Sequence, residues 1–479
     1  MRKALLIILA ASLPVTALAR EHIWIIGGGP TPDDSQAQIE FNVKWVIASL
    51  RGLLPDAVVN VFFANGTGPE KATLEWRPAD EGTPLQPLAR VFGDQAANGN
   101  AYREHRVPGV AGSTRADSLV PELERQFDSL REGDRALIVY NGHGSWHADR
   151  AENGLRLWGE SHLSVREFER LLSHINAAVP VRFILTQCYS GAFERAVHPG
   201  AADVKTLAPG RRCGFFPVSA NGESEGCSAS LKIGDYRDYT TYFFSALTGR
   251  TRLGEPIAGN PDLDGDGRVT PFEAHLYAIV EGYSADLPRS TSEAYLERWQ
   301  PWYLRWLETG GLPDNVYGRI ARQLARRNGL PQDDPGLARA LELRHRDLAR
   351  RVSDTEAEGR RLESHVTAIQ ERIQRSLSER WPETLHPYTE GFRAFLARNL
   401  ADAQSFIVQH PEYPHLVAKQ DRFAATEIEL MDLNRKTTQL EKIRRARMLA
   451  RTLGQFQRLA SGRDRSAYGQ LRRCEELPL

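Results

Sequence analysis

The stretch ALIVYNGHGSW, residues 136–146, decides the fold. Five apolar residues from Ala136 to Tyr140 run without alternation, as in a strand covered on both faces, and two glycines then bracket His143. In open α/β sheets the ligand crevice forms just past the C-terminal ends of the strands, so this histidine stands where chemistry is done. Working outward, HIWIIGGGP from His22, AVVNVFFANG from Ala57, VRFILTQCYSG from Val181 and CGFFPVSANGESEG from Cys213 have the same form. Helical patterns at about 36–53, 117–131 and 164–178 separate them, which predicts βαβ units and a mostly parallel sheet flanked by helices. The IIGGGP run lacks the G-x-G-x-x-G spacing of a dinucleotide loop and reads as a strand-end loop on the cleft rim.

After about residue 286 strands vanish from the pattern and Arg, Glu, Leu and Gln dominate. Leu348, Val352, Thr355, Gly359, Leu362, Val366, Ile369 and Ile373 recur at alternating spacings of four and three, the seam of a coiled coil or helical hairpin, which Trp381-Pro382 breaks. A second seam, Leu430, Leu433, Thr437, Leu440 and Ile443, follows the proline-bearing turn HPEYPH, and the two are expected to pack on each other. Trp299, Trp302 and Trp306 are expected to anchor this all-helical C-terminal region, 286–479, to the α/β domain, 20–285.

The chain has 479 residues, enough for more than one core, and 61 basic against 61 acidic residues. A balanced charge gives no field for nucleic acid or an anionic membrane. Residues 1–19 have a basic start at Arg2 and Lys3, an apolar stretch and Ala17-Leu18-Ala19, the pattern of a signal peptide cleaved after Ala19. No later segment is long and apolar enough to span a membrane, so an exported, periplasmic or secreted protein is expected. Of the four cysteines, Cys188, Cys213, Cys227 and Cys474, the neighbours Cys213 and Cys227 could pair, although sequence leaves the connectivity open.

Cys188 ends an apolar strand as His143 does, and adjacent parallel strands would bring both to one sheet edge. A thiol attacks as thiolate, and an imidazole can take its proton and return it to a leaving amine. Gly144 allows close backbone approach, and its N–H with that of Cys188 could hold the developing oxyanion. Taken singly, each residue would more often be structural; two matched strand-end contexts 45 residues apart, close to the roughly 50 of caspases, point to a dyad. The alternative of a zinc site at His143, His147 and Asp149 lacks the His-Glu-x-x-His helix pattern.

Strand-HGS and strand-C-Y-S-G-A-F together resemble the legumain-type peptidases within the caspase-like cysteine peptidases, over roughly residues 22–285. The resemblance implies a caspase-like fold, a catalytic dyad of His143 and Cys188 with Gly144, and a peptide or protein substrate. SANGESEGC at 219–227 and the Gly-Asp-Tyr at 234–236 resemble pocket segments, which implies substrate contacts for Ser219, Glu223 and Asp235; Asp235 could equally cap the helix YTTYFFSAL. Tyr189 stands in the pocket where legumains carry an acid, and their early Arg-His pair is missing, so asparagine, lysine and arginine all remain open as the residue before the scissile bond. The resemblance also implies that the helical region docks over the cleft and is removed by a cut between about 286 and 340.

DLDGDGRVTPFE carries Asp262, Asp264 and Asp266 at calcium-loop positions one, three and five, Gly267 at six, the Arg268 carbonyl at seven, Thr270 at nine and Glu273 at twelve. One such loop predicts a structural Ca2+ clamp rather than a paired sensor. The expected protein is an exported cysteine endopeptidase; the alternatives are a silent caspase-like module binding a partner through its helices, or a transpeptidase using the same dyad.

Overall fold

The computed structural model describes residues 20–76, 85–93, 100–306, 311–387 and 389–479. The leader reading, 1–19, lies outside the described residues. In chain order the first part gives β1 (Glu21–Gly28), α1 (Ala37–Leu53), β2 (Val58–Phe63), β3 (Thr73–Trp76), α2 (Gln86–Phe92), β4 (Asn100–Arg103), β5 (Val110–Gly112), α3 (Ala116–Phe127), β6 (Arg135–Ser145), β7 (Gly154–Leu157) and β8 (Ser161–Ser164). There follow α4 (Val165–Leu172), β9 (Val181–Leu185), β10 (Arg212–Phe216), α5 (Tyr239–Thr248), α6 (Pro271–Glu281), β11 (Arg289–Ser290) and α7 (Thr291–Trp299). The helical part is α8 (Val316–Arg327), α9 (Asp334–Arg380), α10 (Glu390–Gln409), α11 (Tyr413–Leu459) and α12 (Gly462–Glu475).

The sheet has nine strands in a path β11-β10-β9-β6-β1-β2-β5, with the hairpin of β7 and β8 continuing from the end of β6. All pairings along the path are parallel except that of β10 with β11. Strands β9 and β10 are buried along their whole length, as strands covered by helices must be, Arg182 and Arg212 included. The chain leaves β1 through α1 toward β2 and returns on the other side of β1 to lay down β6 and then β9. The order therefore reverses between β1 and β6, and the crevice of an α/β sheet opens at such a switch point.

The expected α/β architecture with a helical C-terminal region is what the chain adopts, with two corrections at the boundary. Strands do not end at 285: β11 pairs with β10 through Phe215–Ser290 and Phe216–Arg289, and α7 buries Tyr295, Leu296 and Trp299. A two-residue strand at a sheet edge has no periodicity to read. Secondly, the tryptophans do not act together. Trp299 packs edge-on against Phe456 of α11 at 4.9 Å, Trp302 is 74% exposed, and the Trp306 side chain lies outside the described ones.

Helices α9 and α11 run antiparallel, tied by Glu358–Arg422 and Arg372–Glu412 pairs. Leu348, Thr355, Gly359, Leu362, Ile369 and Ile373 of the first seam are buried, with Leu433, Leu440 and Ile443 of the second. Trp381 ends α9 as expected. Far from the sheet, α2 docks on this pair: Gln370 and Gln374 donate to the carbonyls of Arg90 and Val91 at 2.8 and 2.7 Å. Near the sheet α11 presents a polar stripe, in which Gln439 and Lys442 donate to the Gly282 carbonyl and Arg445 to that of Pro288.

The disulfide joins Cys213 to Cys474 and not to Cys227. Cys213 lies inside β10, and α12 crosses the sheet edge there and places Cys474 against it. Next to the disulfide the buried Glu475 accepts hydrogen bonds from Thr291 Oγ1 and from Ser292 N and Oγ. Arg182, fully buried inside β9, is neutralised by Glu21 and donates to the carbonyls of Leu477 and Pro478. The C-terminal residues thus belong to the base of the α/β domain. Among the described residues, no helix is long and apolar enough to cross a membrane.

Candidate active site

His143 and Cys188 both lie three residues beyond a pair that is in register, Tyr140 of β6 beside Leu185 of β9. The two strand ends touch: a methyl group on Gly144 would lie 2.1 Å from the Cys188 carbonyl oxygen, so only glycine permits this approach. No hydrogen bond joins His143 to Cys188 in this structure. His143 Nε2 instead meets the Asp34 carbonyl at 2.8 Å and Gln36 Oε1 at 2.9 Å, both from the loop that follows β1 across the switch point. A carbonyl only accepts, so Nε2 carries the hydrogen and Nδ1 keeps its lone pair. The glycine run of β1 shapes this loop, because a side chain at Gly29 would run into the Asp34 carbonyl at 2.1 Å.

Cys188 Sγ is engaged by the loop after β10. The Ser224 N–H donates to it at 3.3 Å, and Ser224 Oγ donates to the Thr186 carbonyl at 2.8 Å. Burial pushes the Cys188 thiol up and the His143 imidazole down, so the resting pair is a neutral thiol beside a neutral ring. Tyr189 adopts the left-handed region at φ 60°, a conformation that costs a residue with a side chain about 1–2 kcal/mol. Its hydroxyl donates to Glu223 Oε1 at 2.7 Å, so these two residues pair on the rim.

A cavity of about 630 Å³ opens beside Ser224 between this loop and α11. Asp235 is on its wall, exposed, and does not cap a helix; Asp238 caps α5 by accepting from Thr241 N at 2.8 Å. Ser219 is not on that wall: its Oγ accepts from Asn221 N inside the turn, and the wall serines are Ser224, Ser228 and Ser230. Two residues that pattern reading passed over complete the loop. Glu225 donates its N–H to the buried Asp286 carboxylate at 2.9 Å, and its own carboxylate accepts from Ala285 N at 2.7 Å and from Arg435 of α11. The signal for Glu225 lay in GESEG, where the acids flank Ser224; Arg435 carries none, because only the fold brings α11 here.

In the acidic loop, carboxylate oxygens of Asp262, Asp264 and Glu273 come within 4.8 Å of one another. Asp266 accepts from Arg268 N, and Thr270 caps α6 in a reciprocal pair with Glu273. Glu273 Oε1 also accepts from Leu263 N. Oxygen donors at these offsets fit a hard cation such as Ca2+, with the Arg268 carbonyl available at position seven. Among the described residues, no metal-ligand cluster includes His143, His147 or Asp149.

No protein-family profile matches the chain, and no curated protein does. A solved structure of a Geobacter sulfurreducens protein, GSU0716, is similar over 57% of this chain and 92% of that one, at 12% identity and a TM-score of 0.34. A likeness at that level carries no argument about function.

Proposed function

We propose that the protein is a cysteine endopeptidase of the legumain-like, caspase-like type, exported by its leader, with Cys188 as nucleophile and His143 as proton carrier. The single observation that supports it most is the 2.8 Å contact of His143 Nε2 with the Asp34 carbonyl, an acceptor that favours the proton on Nε2 and leaves Nδ1 as base at a crevice shared with Cys188. In this reading the thiol proton passes to His143 Nδ1 as Sγ bonds to the substrate carbonyl carbon. The carbonyl oxygen, now negative, is held by the N–H groups of Cys188 and Gly144. His143 gives the proton to the departing amine, and water releases the acyl group from sulfur.

Ca2+ bound by Asp262, Asp264, Asp266, the Arg268 carbonyl and Glu273, with Thr270 at the loop's ninth position, would act as a clamp on α6. Helix α11 over the cleft loop favours a silent intact chain, the second reading to be separated.

The test is labelling of the signal-less protein by a peptidyl electrophile with and without Ca2+. Labelling lost in both Cys188→Ala and His143→Ala supports the dyad. A Cys188 no more reactive than a free thiol in every condition removes the peptidase reading.

A further inference from the structure

We propose that the candidate cleft reads an arginine side chain of its peptide substrate, and that Arg435 of α11 is an internal occupant of that position. The inference rests on the peptidase reading above. Glu225 directly follows Ser224, whose N–H touches the Cys188 sulfur, and its carboxylate lies with Ser224 on the wall of the cavity. Arg435 grips this carboxylate at two points, Nε to Oε1 at 3.0 Å and NH2 to Oε2 at 2.8 Å. That is the planar fork of a guanidinium, which neither an ammonium nor an amide reproduces.

The carboxylate does not depend on Arg435 for its position. The Ala285 N–H donates to Oε1, and the Glu225 N–H is held by Asp286, itself buried and bonded to Tyr239 N. Withdrawing Arg435 therefore leaves an oriented, half-buried carboxylate without its forked partner, with the buried Lys442 ammonium, which faces both Asp286 and Glu225, as the remaining cation and Asp235 on the same wall. The cation on the α/β side of the cavity, Arg237, turns its guanidinium to the Gly234 and Tyr236 carbonyls. A substrate arginine restores the fork, lysine restores only charge, asparagine supplies neither the fork nor a charge, and aspartate is repelled.

The experiment uses the signal-less full-length chain and peptidyl acyloxymethyl ketones with arginine, lysine, asparagine or aspartate next to the electrophile. Cys188-dependent labelling should favour the arginine probe over the asparagine and aspartate probes by at least about 30-fold, the scale of a charge pair left unmatched. Arg435→Ala should speed the arginine probe at least about tenfold, with Arg435→Lys, which keeps the charge and the packing, in between. Glu225→Gln should erase the preference while iodoacetamide still alkylates Cys188. Cys188-dependent labelling with equal rates, or with asparagine or aspartate ahead, overturns the arginine assignment and leaves the peptidase standing. Absence of probe labelling in wild type and Arg435→Ala alike overturns both.

Discussion

At Gly144 a single hydrogen decides whether the two strand ends can meet. Gly144→Ala must push the Cys188 carbonyl away from a 2.1 Å contact, and a displacement near 1 Å at a reacting centre costs on the order of 10²-fold in rate. Electrophile labelling of the folded variant should fall by that factor, with a lowered melting temperature because the clash is with backbone; unchanged labelling would show that the two backbones do not need this approach. The same burial that shapes the site sets its pH response. With the thiol pushed up and the imidazole pushed down, alkylation of Cys188 by iodoacetamide should keep rising with pH above about 8.5, the range of an ordinary thiol. A rate that levels off below neutrality would instead mean a standing thiolate–imidazolium pair. His143, Gly144 and Cys188 were legible because apolar runs ending in glycine or a reactive residue announce strand ends in the sequence itself. Asp34, Gln36 and Arg435 were not, since each acts through a backbone carbonyl or a contact across the fold that no local pattern encodes.

At the scale of elements the long helices were readable from their spacing, and one residue in their seam departs from what a helix prefers. Gly359 is buried inside α9 opposite Thr426 and Glu427, and a methyl there would meet their side chains at 3.8 and 3.7 Å, ordinary contact distances. Gly359→Ala should thus stabilise the helical pair by about 0.5–1 kcal/mol, seen as a higher denaturant midpoint at unchanged slope. A lower midpoint would mean the seam needs the glycine for closer approach. The segment after Cys188 depends instead on a buried histidine. His198 Nδ1 donates to the Thr206 carbonyl at 2.8 Å, and Nε2 accepts from Arg298 of α7 at 2.7 Å, an arrangement only the neutral ring allows. Burial takes its pKa down to about 4, against about 6.5 in an unfolded chain. On acidification the unfolded chain takes up this proton first, so stability is lost as pH falls from about 6.5 toward 4, by up to about 3 kcal/mol. His198→Gln should flatten the melting temperature across that window relative to wild type; parallel curves would remove His198 from the acid response. Such a pairing, between a loop and a helix 100 residues on, has no trace in periodicity.

For the whole molecule the parallel sheet and the helical hairpin were legible because both repeat a period, whereas their junction was not. What joins them is a shared apolar core, a two-residue strand, a polar stripe on α11, and a disulfide spanning 261 residues of sequence. This joint changes how the helical region could leave the cleft. A single cut between 286 and 340 was expected to free it, yet 286–299 carries β11 and α7, whose side chains are buried in the common core. Among the described residues, the turn at 331–333 between α8 and α9 is an exposed stretch in that interval, and a protease supplied in trans should cut there. Even then Cys474 stays bonded to Cys213 in β10, and Glu475 stays buried against Thr291 and Ser292. The nicked chain should therefore run as one species on a non-reducing gel, separate into two only with reductant, and keep α11 over Glu225, so that arginine-probe labelling stays low. Release should need a second cut between α11 and Cys474, or reduction of the disulfide together with the nick. Labelling that rises on nicking alone, without reductant, would mean that α11 can swing away while α12 remains tied to the sheet.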